Sequence, residues 1–170
     1  MALLDSPLNK AGKLLIYLHT AQNILISVHP SFRIPRTFKR FSVVFVELLR
    51  RGVIKAAGTD EVLMQVVPTP ISKHLPSGSR RVGLSINGRA VKMRRFCASL
   101  EAEGVIDARH GAAVPVVFTI GAVAHGDPVT EQNFGAEYIE ERISIYPKGL
   151  TAAYCCSKLC NEFETFWDIC

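Results

Sequence analysis

Residues 114–120 read Val-Pro-Val-Val-Phe-Thr-Ile and run directly into Gly-Ala-Val-Ala-His-Gly at residues 121–126. The first segment is almost entirely apolar, which is typical of a strand that is covered on both faces. The second segment is rich in small residues, and ligands of α/β proteins collect at the carboxyl ends of strands. The two segments together predict a buried strand with a binding loop at its end.

Other strands and helices are predicted on both sides of this strand. Apolar residues 14–18 and 24–28, separated by a polar turn, predict a hairpin. Apolar residues at helical spacing predict a helix with Pro35 in its first turn and Gly52 at its end. The remaining predictions are strands at 81–86 and 142–146, helices at 93–103 and 151–169, and a loop-rich connection over 58–80. Alternating strands and helices predict an α/β fold with a mostly parallel sheet, in a single domain over residues 1–170.

The composition predicts a folded chain that binds a polyanion. Hydrophobic residues make up 48% of the 170 residues, and no apolar run approaches the roughly 18 residues of a membrane span. We therefore expect no membrane segment, and no secretory signal is visible. Residues 1–100 carry 16 Lys and Arg against 4 Asp and Glu, whereas residues 101–170 carry 4 against 11. This uneven distribution of charge favours nucleic-acid binding, although a soluble domain with unevenly distributed surface charge is the alternative.

The five cysteines predict neither a disulfide framework nor a metal site. Their number is odd, and no secretory signal accompanies them. Cys156 and Cys160 have helical spacing, but no histidine or second cysteine pair completes a zinc-binding set. We expect buried, reduced thiols and no metal.

Three segments are candidates for binding or catalysis. Arg33, Arg36 and Arg40 lie around a predicted helix start, with Arg36 and Arg40 on one helix face; they favour a phosphate site or, alternatively, a solvated basic face. Phe38 and Phe41 are expected to point into the core. The loop at 121–126 lacks the Lys-Ser/Thr of a P-loop, so we expect no ATP site, and a tight turn is the alternative to a binding loop.

Asp5 is the third candidate. It follows two leucines in Leu-Leu-Asp-Ser-Pro-Leu-Asn-Lys-Ala-Gly at residues 3–12. A carboxylate in an apolar setting is a candidate catalytic group, because burial alters its pKa. A helix cap or a lysine partner is the structural alternative, and the residues leave both open.

Several segments, in order, resemble one family. They are Leu-Leu-Asp-Ser-Pro-Leu-Asn-Lys-Ala-Gly (3–12), Ile-Tyr-Leu-His-Thr (16–20), Asn-Ile-Leu-Ile (23–26), Arg-Ile-Pro-Arg-Thr-Phe-Lys-Arg-Phe (33–41), Gly-Ala-Val-Ala-His-Gly (121–126) and Ser-Lys-Leu-Cys-x-x-Phe-Glu-x-x-Trp (157–167). The family is the pseudouridine-specific rRNA methyltransferases of the SPOUT superfamily. The resemblance runs from Leu3 to the last residue.

The resemblance implies a fold, a reaction and site residues. The fold is an α/β SPOUT fold with helices on both faces of the sheet and a C-terminal trefoil knot, in a homodimer. The reaction is methylation of nitrogen 1 of a pseudouridine in small-subunit rRNA by S-adenosyl-L-methionine. Asp5 corresponds to the residue beside the target base, and Arg33, Arg36 and Arg40 to RNA contacts. The implied cofactor contacts are Leu84, Gly121, Gly126, Ile145, Tyr146, Pro147, Lys148, Gly149 and Leu150.

Two departures from the family pattern leave rivals open. The family usually has Ser-Asn-Tyr-Pro-Leu where this chain has Tyr-Pro-Lys-Gly-Leu at 146–150. The family also carries an N-terminal segment before the Leu-Leu-Asp motif, and the apolar residues 1–9 predict the end of a helix whose start is missing. The rivals are a non-enzymatic RNA-binding ribosome-assembly factor and a basic RNA-binding module without a cofactor. We expect partners among ribosome-assembly factors and a nucleolar location in the nucleus for a eukaryotic protein, or a cytoplasmic one for an archaeal protein.

Overall fold

The computed structural model describes residues 1–107, 109, 111–112, 114–123 and 136–169. They form two compact units, Met1–Ile71 and Ser72–Cys170, each with a sheet of its own. Among these residues, no helix has both the length and the apolar character that crossing a bilayer requires.

The first unit contains a four-stranded antiparallel sheet in the order β1-β2-β4-β3. Its strands are β1 (Ile16–His19), β2 (Leu25–Val28), β3 (Val53–Lys55) and β4 (Val62–Val67), and its helices are α1 (Pro7–Lys10) and α2 (Phe38–Arg51). Among the described residues, short 3₁₀ turns occur at Ile71–Lys73 and at Ala136–Tyr138, the latter in the second unit. The predicted hairpin is confirmed, since Ile16 pairs with Val28 and His19 with Leu25.

The main element of this unit that the sequence analysis did not predict is strand β4. We expected a loop-rich connection over 58–80, but Val62–Val67 pairs with both β2 and β3 and thus lies inside the sheet. The core of the unit packs between this sheet and its helices; it consists of Leu4, Ile16, Ile26, Val28, Phe32, Leu48 and Met64. Helix α2 ends as predicted at Gly52, whose φ of 76° is left-handed and whose N–H donates to the Leu48 carbonyl at 2.7 Å.

The second unit contains the parallel sheet that the sequence predicts. The described residues give it three strands in the order β8-β5-β9, and both pairings are parallel. Its elements are β5 (Arg80–Ala90), α3 (Met93–Ala102), β6 (Ile106–Asp107), β7 (Gly111–Ala112), β8 (Val116–Ile120), β9 (Glu141–Ser144) and α4 (Ala152–Phe166). Among the described strands β8 is at one edge of this sheet, and its residues are only half-buried, so the expected full cover on both faces is wrong.

The central strand β5 makes an unusual excursion. Leu84 and Arg89 both pair with Ile143 of β9, so the four residues between them leave the ladder and return to the same partner. Gly88 ends this excursion. A Cβ at Gly88 would lie 2.6 Å from the backbone N and C atoms of Ile143, so only glycine allows the two backbones to approach this closely.

A series of aromatic ring contacts connects α3, β8 and α4. Phe118 of β8 lies 6.4 Å from Phe96 and 5.6 Å from Phe163, between ring centroids. Phe163 in turn lies 5.1 Å from Trp167, whose indole N–H donates to the Asp107 carbonyl at 3.1 Å. The last helix of the chain is thereby fixed to the parallel sheet and to β6.

Candidate functional site

Three of the predicted cofactor positions lie at or next to the carboxyl ends of β8 and β9. Gly121 directly follows β8 and Ile145 directly follows β9. Leu84 is the last residue of β5 before its excursion, and it pairs with both Ile120 and Ile143. The residues therefore converge at one edge of the sheet, where α/β folds bind ligands.

The other predicted cofactor positions form the connection from β9 to α4. The Ser144 hydroxyl is buried and donates to the Tyr146 carbonyl at 2.8 Å, which turns the chain as it leaves the strand. Residues 146–149 are exposed, so Tyr146, Pro147, Lys148 and Gly149 present backbone and side chains to solvent; Leu150 is half-buried. Gly126, predicted with Gly121, and His125 lie outside the described residues.

This edge of the sheet suits a cofactor with both apolar and polar parts. Leu84 and Ile143 supply a buried apolar floor. The backbone at 145–149 is not part of a strand or helix, so N–H and C=O groups other than the bonded Tyr146 carbonyl and the missing N–H of Pro147 can bond a heterocycle. Gly121 has no side chain to obstruct a ligand.

The three predicted RNA-binding arginines are all exposed and lie in the first unit. Arg33 and Arg36 are in the loop before α2, and Arg40 is in the first turn of that helix. The expected shared helix face for Arg36 and Arg40 is wrong, because Thr37 is the N-cap and its hydroxyl accepts from the Arg40 backbone N–H at 3.4 Å. Arg36 thus precedes the helix, and the three side chains spread from a loop and a helix start.

Two further expectations at this helix are corrected for the same reason. Pro35 is two residues before the N-cap and not in the first turn. Phe38 is the first helical residue and its side chain is 83% exposed, so it does not point into the core. Phe41 is half-buried and packs on Phe45, with ring centroids 5.6 Å apart.

Asp5 is exposed, which corrects its interpretation as a buried carboxylate. It lies in a turn where its N–H donates to the Met1 carbonyl at 3.0 Å. The next residue, Ser6, is the N-cap of α1: its hydroxyl accepts from the Asn9 N–H at 3.1 Å. The short helix therefore has its own capped start, contrary to the expectation of a helix end at residues 1–9.

Asn9 is a residue whose importance sequence reasoning missed. Its side chain is 2% exposed, and its amide nitrogen donates to the Leu4 carbonyl at 3.1 Å and to the Pro30 carbonyl at 3.0 Å. It joins the turn of Asp5 to the loop that leads to Arg33. The available signal in the sequence was a polar residue in an apolar segment, directly after Pro7-Leu8.

The four cysteines among the described residues are free thiols; Cys170 lies outside the described residues. Cys97, Cys155 and Cys160 are buried, and Cys156 is half-buried. Burial raises the pKa of Cys97 to about 11, so its thiol stays protonated and is a poor nucleophile or metal ligand. The described part of the chain brings together no group of three His, Cys, Asp or Glu side chains that could hold a metal.

Comparison with known proteins gives a consistent match. The profile of the family described as EMG1/NEP1 methyltransferase covers residues 1–164. Proteins named ribosomal RNA small subunit methyltransferase NEP1 are 40% identical to this chain in Candida albicans, 40% in Drosophila melanogaster and 38% in Homo sapiens, each over 99% of this chain. The chain spans 58%, 63% and 62% of the length of these relatives.

A solved structure shares the fold. The crystal structure of Archaeoglobus fulgidus Nep1 bound to S-adenosylhomocysteine aligns with a TM-score of 0.75 at 22% identity. The alignment covers 96% of this chain and 66% of that one. An α/β fold with a parallel sheet is thus common to both.

Proposed function

Since this chain belongs to the EMG1/NEP1 methyltransferase family, we propose that it transfers a methyl group from S-adenosyl-L-methionine to nitrogen 1 of a pseudouridine in small-subunit rRNA. The observation that carries the proposal is the convergence of Leu84, in the central strand β5, with Gly121 and Ile145, which directly follow its two parallel neighbours. Relatives bearing the rRNA methyltransferase name support the choice of substrate.

The chemistry divides between the cofactor and the residues of this chain. When bound, the cofactor supplies an activated methyl group, so the protein contributes mainly orientation of the reacting atoms. The backbone of residues 145–150 and the apolar Leu84 hold the cofactor. Asp5 accepts the proton that the pseudouridine nitrogen loses, since an exposed carboxylate is accessible to RNA.

The arginines hold the RNA. Arg33, Arg36 and Arg40 bind phosphates and bases of a single-stranded loop from which the target base is turned outward. In our proposal residues 1–170 are one SPOUT domain with a C-terminal trefoil knot. The domain forms a homodimer. It acts in ribosome assembly together with other assembly factors. Its location is nucleolar in a eukaryote and cytoplasmic in an archaeon.

The test is a methyl-transfer assay on two matched RNAs. The chain is incubated with methyl-labelled S-adenosyl-L-methionine and a stem-loop that carries either pseudouridine or uridine at one loop position. We expect label in the pseudouridine RNA alone, because uridine has a glycosidic bond at nitrogen 1. Transfer to both RNAs would contradict the proposed position. Cofactor and RNA binding without transfer would favour the non-enzymatic assembly factor, for which the exposed Lys148 in the altered loop is the motivating observation.

A further inference from the structure

A cavity of about 580 Å³ opens in the second unit, between the start of α3 and the segment that follows β9. Three basic side chains line it, Arg89, Lys92 and Arg95. No described residue of the lining is acidic. An open cavity with this lining attracts an anion, and we call it the α3 pocket.

The positive charge of the α3 pocket is not neutralised by its surroundings. Glu141 pairs with Arg89 and also with Arg80, whose Nη2 lies 2.9 Å from its Oε2, so one carboxylate serves two guanidinium groups. Lys92 and Arg95 are exposed, and the described residues form no ion pair with either of them. A net positive charge therefore remains at the mouth of the cavity.

The backbone of α3 adds to this charge. Lys92 is the N-cap of the helix, but its side chain makes no capping hydrogen bond, and the first turn holds no acidic residue. The positive end of the helix dipole is thus uncompensated where the three basic side chains meet. The opposite wall is Ser144–Pro147, where Tyr146 is 54% exposed.

We propose that the α3 pocket binds a backbone phosphate of the RNA next to the target nucleotide. The inference rests on the proposed function, which supplies RNA as the polyanion. The pocket shares Ile145, Tyr146 and Pro147 with the segment proposed to hold the cofactor. A base that reaches the methyl donor carries its own phosphate with it, so a phosphate site beside that segment is where the RNA backbone must pass.

A neighbouring pair of arginines provides the test. Arg94 and Arg95 are both exposed on the first turn of α3, but only Arg95 lines the pocket. Binding of a fluorescently labelled single-stranded RNA that contains pseudouridine is measured by anisotropy at several salt concentrations. Arg95→Ala should weaken binding about fivefold near 0.1 M salt and reduce the log–log salt slope by about 0.7. Arg94→Ala should leave both nearly unchanged, and Lys92→Ala should resemble Arg95→Ala.

Two further measurements decide between the pocket and its rivals. Arg95→Lys keeps the charge and should restore most of the affinity for a phosphate. Calorimetry with S-adenosylhomocysteine should give the same affinity for Arg95→Ala and the unaltered chain. Equal losses for Arg94→Ala and Arg95→Ala would overturn the inference, since the effect would then be a general one of surface charge. The inference would also be overturned if Arg95→Ala lost S-adenosylhomocysteine binding but kept its RNA affinity. The same holds if the unaltered chain bound no RNA.

Failure of the proposed function would give results different from failure of the phosphate site. If neither RNA is methylated but Arg95→Ala still lowers RNA affinity more than Arg94→Ala, the phosphate site stands and the enzymatic activity does not. The anisotropy measurement contains no cofactor, so its result does not depend on methyl transfer.

Discussion

The two units of the molecule differ in sheet type, charge and candidate chemistry. The first has an antiparallel sheet, with 9 Lys and Arg against 4 Asp and Glu, and it carries the RNA-binding candidates; the second has a parallel sheet, with 11 against 11, and carries the cofactor candidates. Yet the second unit also contains the α3 pocket, where basic residues cluster locally. A unit that is neutral as a whole therefore contains a positively charged site, so the positions of the charges matter more for binding than their sum.

The largest expected effect is on the stability of the second unit. Gly88→Ala places a Cβ 2.6 Å from the Ile143 backbone. Relieving this overlap requires the backbones of two paired strands to move apart. We expect a loss of at least about 3 kcal/mol in the free energy of unfolding. Hydrogen exchange should show protection lost in β5 and β9 but kept in β1–β4.

Gly149→Ala is the matched control, because a Cβ there would meet no atom within 4 Å. It should change stability by less than about 0.5 kcal/mol. Equal loss of protection in the sheets of both units of the Gly88→Ala variant would show that the two units unfold as one.

The next effect concerns RNA binding by the first unit. Replacing Arg33, Arg36 and Arg40 together with alanine should weaken RNA binding about 100-fold near 0.1 M salt and flatten the log–log slope by about 2, if each holds one phosphate of a single strand. Affinity for S-adenosylhomocysteine, measured by calorimetry, should not change.

The control variant removes arginines from the other end of the same helix. Arg50 and Arg51 are exposed but paired with Glu47, so their replacement with alanine should affect RNA binding far less. If the two sets weakened binding equally, α2 would be a solvated basic face without a specific site.

The smallest effect tests how the first unit holds its loops. Asn9→Ala removes the amide that donates to the carbonyls of Leu4 and Pro30, leaving acceptors without their donor. We expect a loss of about 2 kcal/mol in the free energy of unfolding, measured by urea denaturation. RNA affinity should fall slightly, because the loop after Pro30 carries Arg33.

Gln22→Ala, at an exposed turn position, is the uncharged control and should be neutral. An Asn9→Ala variant as stable as the unaltered chain would mean that water replaces the amide without cost. The side chain of Asn9 would then contribute packing but no net hydrogen-bond energy.

Elements with a regular pattern could be predicted from the sequence. The hairpin at 16–28 and the helices α3 and α4 follow from apolar spacing and from their ends at Gly104 and Thr151. Strand β4 was missed because Gly58, Pro68 and Pro70 surround it with turn signals, whereas its place is decided by pairing with distant β2.

The placement of the candidate residues in the fold could be predicted only in part, for a similar reason. Gly121 and Ile145 lie at the same edge once β8 and β9 are parallel to β5, whereas the position of Leu84 beside them depends on the register of β5. The α3 pocket could not be predicted, because Arg89 reaches it only through the excursion of β5, which no periodicity encodes. The start of α2 was placed too early because Pro35 is a strong helix-start signal, yet the hydroxyl of Thr37 provides the cap.

The chain has one tryptophan, and it is Trp167 at the end of α4. Its indole is fixed by the Asp107 carbonyl and by the ring of Phe163, so its emission depends on the folded second unit. The first unit contains Tyr17 as its only tyrosine. Excitation at the red edge of the absorption band therefore selects a single fluorophore, and its emission spectrum follows the unfolding of one half of the molecule while the amide circular dichroism follows both.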